Sequence, residues 1–208
     1  MQKQKILKYT FYFLGIILLS FGITLTLISN LGAGGWDALI QNISTLAGIS
    51  IGESLWGIAI MLLIISGIII KKFPDIKVLI VSWITGITID IFYYKILKNI
   101  YINAIYLKGI FLISGIFLIA LGCSMMFVTN LPKNHTETFA FALVKRFGYS
   151  YKNVKIGLDI SALFLAIIIG INLNNLSNIG VGTFVSSIFM GYLIDKLLPN
   201  IRKVYKIL

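Results

Sequence analysis

Long apolar stretches alternate with short polar ones along the whole chain. Six stretches, at 11–28, 54–70, 78–97, 109–128, 154–173 and 179–198, are apolar and long enough to cross a bilayer core as helices. They are rich in Ile, Leu and Phe and lack the turn-bounded alternation of strands, so the pattern predicts helices and not a β-barrel. Between the first two stretches the pattern changes. Trp36, Leu39, Ile40, Ile43 and Leu46 fall on one helical face, with Asp37, Gln41, Asn42, Ser44 and Thr45 on the other. That predicts a helix of about three turns, too short to span, which either lies along the outer interface or re-enters the membrane. The turn before it, "LGAGG", permits positive φ and close backbone approach, and it leaves free N–H groups at the helix start. Such an end holds an anion or a carboxylate, Asp37 included, while Trp36 suits an interface where its N–H stays wet.

The pattern is written twice. Shifting the sequence by 100 residues puts Gly15 on Gly115, Gly22 on Gly122, Asn30 on Asn130, Gly48 on Gly148 and Ser50 on Ser150. Near the end of each half the frame slips by five, so that Gly86 and Asp90 match Gly191 and Asp195. Three spans per half is an odd number, so the second half enters the membrane upside down relative to the first. The expected fold is all-α and integral to the membrane, a single domain over 1–208. It comprises two inverted three-helix repeats, about 9–98 and 109–200, each with a short interfacial or re-entrant helix after its first span. Inverted repeats build many small secondary transporters, with sites at the repeat interface.

Composition agrees with this reading. Of 208 residues 58% are hydrophobic and 12% charged, and the mean hydropathy is +0.96, which excludes an ordinary soluble domain. The net charge of +11 raises the question of nucleic acid, and its distribution answers it. With the N-terminus inside, 15 of the 18 Lys and Arg residues, Lys133, Lys145, Arg146, Lys152 and Lys155 among them, fall on cytoplasmic segments; only Lys95, Lys98 and Lys108 fall outside. The expected topology is therefore N-in and C-in, with anionic headgroups of the cytoplasmic leaflet as partner and no nucleic acid. Cys123, the only cysteine, reads as a small buried apolar residue. No metal or cofactor motif is present, and the polar groups form no nucleophile–base set, so an enzyme is not expected.

The candidate pathway residues are the acids and corner residues. Asp90 lies within the third span between Ile89 and Ile91, where an ionised carboxylate costs about 2.5–3.5 kcal/mol and is by default a functional candidate. Tyr93, Tyr94 and Lys95 are within helical reach of it. Asp195 matches it near the end of the sixth span, where an interfacial acid beside Lys196 is the plainer reading. Asp159, in the fifth span, has Lys155 available at i−4. Glu137 stands where Asp37 stood. Either acid alone is accounted for by helix capping, but their recurrence favours the corners, with Asn30, Gly34, Gly35, Trp36 and Asn130, as outer and inner vestibules of one pathway. His135 falls in a basic cytoplasmic corner and is expected to face water.

The stretch "NLGAGGWDALIQNISTLAGISIG" resembles the hallmark of the YczE/YyaS/YitT family of bacterial membrane proteins, and "NIGVGTFVSSIFMGYLIDKLLP" is similar to the same family's ending, closest to the YczE branch. The resemblance implies a multi-pass protein of the bacterial cytoplasmic membrane. The function expected from these features together is a small-solute permease or exporter, with Asp90 as a proton or cation site and the Gly34–Asp37 turn as an outer gate or anion contact. Two alternatives stand beside it: a substrate-binding membrane subunit of a larger transporter complex, and a non-transporting accessory or assembly protein. A homodimer is open, although no GxxxG stripe specifies one.

Overall fold

The computed structural model describes residues 2–73, 75–176 and 178–207. The side chains of 2, 3, 206 and 207 lie outside the described residues, Lys3 and Lys206 among the basic positions counted above. Among the described residues all regular structure is helical: α1 (Gln2–Ser29), α2 (Gly35–Ala47), α3 (Ile51–Ile70), α4 (Lys77–Asp90), α5 (Ile105–Val128), α6 (His135–Phe147), α7 (Tyr151–Asn172) and α8 (Val181–Ile207). A π-helical segment, Ile91–Ile96, continues α4. Six helices are long and apolar enough to cross a membrane, the third of them α4 together with its π-helical extension. The short helices α2 and α6 each follow the first span of their half.

The stops and starts recur along with the residues. Asn30 and Asn130 both take positive φ, 51° and 54°, just past the ends of α1 and α5. Gly48 and Gly148 close α2 and α6 in the left-handed conformation, and Ser50 and Ser150 accept a backbone N–H as N-caps of α3 and α7. In α3 the cap is completed by Glu53, whose carboxylate accepts the Ser50 N–H at 2.7 Å.

Helices α1 and α5 form the central pair and cross antiparallel at four glycines. A Cβ at Gly15, Gly22, Gly115 or Gly122 would stand 2.9, 2.7, 2.8 or 2.5 Å from the facing glycine's carbonyl oxygen. Gly15 faces Gly122 and Gly22 faces Gly115, so the backbones themselves touch. In lipid, where apolar side chains gain nothing by leaving one apolar medium for another, such close packing of small residues is what holds helices together. Around this pair the short helices pack on the far half: α2 lies on α7, and α6 lies on α3.

The inside carries hydroxyls among its apolar side chains, and the outside is greasy. Buried Thr24, Ser66, Thr85 and Ser124 return their hydroxyls to the carbonyl four residues earlier, at 2.7–2.9 Å, so these four are not left bare. Ile68, Ile113 and Phe164 are 70%, 70% and 64% exposed, as residues facing acyl chains are. This arrangement supports membrane residence.

Substituting Gly122 by Ala forces a Cβ into a backbone oxygen, whereas the same change at Gly57 meets nothing within 4 Å. Ala favours helix over Gly by roughly 0.5–1 kcal/mol, so Gly57→Ala is expected to hold or raise the thermal midpoint of the detergent-purified protein. Gly122→Ala is expected to lower it, by an overpacking cost of about 1–3 kcal/mol. Equal midpoints for the two variants would contradict the crossing.

Candidate functional site

The N-terminal turns of α2 and α6, which carry the acids of the two corners, reach the same place. Asp37 and Glu137 are each the third residue of their helix, and both line one partly open cavity of about 50 Å³. That is room for about three or four waters or a solute of similar size. Its remaining wall comes from α7 (Lys155, Asp159), from Cys123 of α5, and from apolar side chains such as Leu19, Ile40 and Met190.

The glycine turn makes this approach possible. Gly32 has φ +102°, and its position against Thr183 and Gly180 leaves no room for a side chain. Two bonds fasten the turn to the start of α8: Ala33 N–H donates to the Asn178 carbonyl at 3.2 Å, and Gly182 N–H donates to the Leu31 carbonyl at 2.8 Å. Gly35 then sits directly on the Asp159 carbonyl, which brings the first turn of α2 against the middle of α7. The second corner reaches the cavity differently. Asn134 caps α6 through a bond from the His135 N–H at 2.6 Å, and Pro132 is held by the Tyr12 hydroxyl, which donates to its carbonyl at 2.5 Å.

On α7, Tyr151, Lys155 and Asp159 lie four residues apart and so share one face. Lys155 Nζ stands 3.3 Å from Glu137 Oε1 and 3.1 Å from Asp159 Oδ1. All three are buried, at 6%, 3% and 5% exposure. The Tyr151 hydroxyl donates a short hydrogen bond to Glu137 Oε2. Removing such charges from water costs several kcal/mol per ion, and here the cost is offset by mutual attraction at close range. The lysine is thus held between two carboxylates.

The third carboxylate is not so provided. Among the described residues no donor hydrogen-bonds Asp37, whose remaining surface faces the cavity. Burial pushes its carboxyl up to about 7, against the pull of Lys155 and helped by the repulsion of Asp159. His135, 2% exposed, shares a hydrogen bond of 3.1 Å between Nδ1 and Ser82 Oγ, while its Nε2 has no partner. Burial, and then Lys155, hold it down to about 3, so the ring is neutral. The indole N–H of Trp36 is likewise buried without a partner.

The residues named from sequence separate into two groups. Asp37, Glu137, Asp159, Trp36, Gly34 and Gly35 line the cavity. Asp90 does not: its carboxylate accepts the Ser50 hydroxyl at 2.7 Å and the Gly52 N–H at 2.9 Å, binding the π-helical junction to the start of α3. Among the described residues no hydrogen bond or ion pair joins it to Tyr93, Tyr94 or Lys95. Asn30 and Asn130 are exposed corner residues, and Asp195 is exposed on α8. Asn130 borders a separate, open recess of about 500 Å³ with Lys133 and Phe141. Phe141 stacks on Tyr151 at 5.0 Å, and Lys133 Nζ lies 4.9 Å above the Phe141 ring.

Three sequence expectations are corrected. His135 does not face water but is buried at the cavity, because α6 turns inward against α3. Lys155, counted with the cytoplasmic cations, is an interior ion. The Trp36 N–H is not wet at an interface. The acids of the two corners line one cavity. The signal for Lys155 was present in its spacing from Tyr151 and Asp159; nothing in the sequence singled out His135 or Ser82.

Comparison with known proteins places these features in a family. Residues 6–199 match the family described as "Family of unknown function (DUF6198)". The chain is 32% identical to "Uncharacterized protein YyaS" of Bacillus subtilis (strain 168) over 200 residues, 95% of each chain. It is 28% identical to "Uncharacterized membrane protein YczE" of the same organism over 206 residues, covering 96% of this chain and 89% of the relative. No solved structure matches.

Replacing Lys155 by Met strands Asp159 as an unpaired buried charge and leaves Glu137 with the Tyr151 hydroxyl alone. The variant is expected to lose about 3–5 kcal/mol. Thermal unfolding of the variant and the parent chain measures this. A loss below about 1 kcal/mol would mean that packing, and not charge, holds Lys155 in place.

Proposed function

The chain belongs to the family of YyaS and YczE, DUF6198, a family of unknown function, and on that premise we propose that it is a small-solute permease or exporter working by alternating access. In this reading the two halves are inverted repeats, α2 and α6 are re-entrant, and both termini are cytoplasmic. The protein transports and does not catalyse. The single observation that carries it is the convergence of two helix N-termini and a buried lysine–carboxylate set on one cavity between the halves. Sites of that kind, built from short interrupted helices, are where secondary transporters hold their substrates.

The packing supports the inversion. The α1–α5 crossing is antiparallel, and the contact of Gly15 with Gly122 becomes that of Gly115 with Gly22 when the halves are exchanged. The exchanged contacts of α2 with α7 and of α6 with α3 follow the same rule. Two barriers then close the cavity. On one side the glycine turn is fastened to the start of α8; on the other the stack of Phe141 and Tyr151 stands over Glu137. Rocking of the halves opens one barrier at a time. Asp37, with its raised carboxyl, serves as the proton site that couples the motion to the proton gradient, the role Asp90 held in the sequence reading.

The chain carries its own reporter. Cys123 is its only cysteine, lines the cavity and is 3% exposed. Alternating access predicts that a membrane-impermeant thiosulfonate labels Cys123 both in right-side-out and in inside-out vesicles, with Cys123→Ser as the blank. Labelling from one face only fits a binding subunit or an accessory protein and would overturn the transport reading.

A further inference from the structure

Three groups at the cavity have an unmet requirement, and together they describe a ligand. Asp37 is a carboxylate without a donor. The neutral His135 ring keeps Nδ1 on Ser82 Oγ and leaves Nε2 unpartnered, in a side chain 98% buried by its 2% exposure. The Trp36 indole N–H is a donor without an acceptor. Buried polar atoms are normally satisfied, and each of these three lies on a residue that lines the same small space.

Charge decides the sign of the guest. Three carboxylates, Asp37, Glu137 and Asp159, face one ammonium, Lys155, which both of the latter two already hold. With His135 neutral, the ionised site is two negative charges in excess, one of which is the unpaired Asp37. The helix ends of α2 and α6 offer positive dipoles, but each already carries an acid at its third position. An anion entering here meets three carboxylates and, among the described residues, no cation free of a carboxylate partner. A metal ion is not favoured either: among the described residues no group of three His, Cys, Asp or Glu is arranged to hold one. The apolar wall of Leu19, Ile40 and Met190 favours carbon on the remaining side of the guest.

Deepening the transport reading, on which its exchange step rests, we propose that the cavity binds a small organic ammonium ion in place of the proton on Asp37. The ammonium lies between the Asp37 carboxylate and His135 Nε2, with Nδ1–H given to Ser82. A neutral oxygen on the guest accepts the Trp36 N–H. The class is that of the small amino alcohols. A zwitterionic amino acid satisfies the same donors but brings a further carboxylate to a site already rich in them. The exchange conserves charge: one proton leaves Asp37 for each ammonium bound. The groups facing Asp37 during this exchange are Lys155 and Asp159 from α7, Glu137 and His135 from α6, and Cys123 from α5.

Isothermal titration of the detergent-purified full chain with ethanolamine, at pH 6 and pH 8, tests the site without requiring transport. The proton competes at Asp37 with a midpoint of about 7, so binding is expected to be about tenfold tighter at pH 8 than at pH 6. Asp37→Asn is expected to abolish saturable binding, while Asp90→Asn, outside the cavity, keeps the parent affinity. Ethylamine, lacking the oxygen, binds more weakly than ethanolamine. Saturable binding of glycine or acetate with none of ethanolamine overturns the proposal. So does an ethanolamine affinity equal at both pH values in the parent chain, a readout that does not depend on any variant folding. Because the titration involves no membrane, ethanolamine binding with one-sided Cys123 labelling would remove transport and keep the site. Two-sided labelling without ethanolamine binding would do the reverse.

Discussion

A single ammonium, Lys155, held in the interior between Glu137 and Asp159, sets the terms for everything around it. An ion pair stripped of water is stable only when geometry is tight on every side. Here each carboxylate comes from a different helix, so the ammonium ties α6 to α7. Tyr151 adds its hydroxyl to Glu137 and its ring to Phe141, which extends the same tie outward to the recess at Lys133. Into this balanced set the first turn of α2 introduces one more acid. Among the described residues Asp37 is the one carboxylate of the group with no hydrogen bond or ion pair, and it lines the cavity.

The approach of the backbones makes the charge arrangement possible. Four glycines let α1 and α5 touch, which draws the halves close enough for each short helix to pack on the other half. Gly35 resting on the Asp159 carbonyl fixes how near Asp37 comes to the lysine. The hydroxyl-bearing interior and the aliphatic exterior follow from the medium: with lipid outside, packing and internal hydrogen bonds must supply what the hydrophobic effect supplies to soluble folds.

How much of this was legible depended on whether a feature is local. The six spans could be read because a run of about 20 apolar residues needs no partner to be recognised. The short helices could be read from their period, and their ends from Gly48, Gly148, Ser50 and Ser150. The pair Lys155–Asp159 was visible at i, i+4. Long-range contacts were not visible. Nothing near Asp90 in sequence announces that Ser50 and Gly52, about 40 residues away, will occupy its oxygens. His135 sits in a segment whose basic composition reads as a wet loop, and its burial arises because α6 folds inward onto α3; Lys155 is drawn inside by Glu137 of α6, a partner remote in sequence. The family resemblance, read from the glycine turn and the closing motif, was upheld by the match over 6–199. It carried no information about the interior.

The account rests on Asp37 being a carboxyl that changes charge near neutral pH inside a protein whose other cavity charges are paired. Infrared difference spectroscopy across pH 5 to 9 reads this directly, through the carbonyl stretch of the protonated acid. The account predicts a carboxyl band titrating at about pH 7 that is present in the parent chain and lost in Asp37→Asn. A parent spectrum with no carboxyl change between pH 6 and 8, or a band at about pH 7 that survives that substitution, would contradict it.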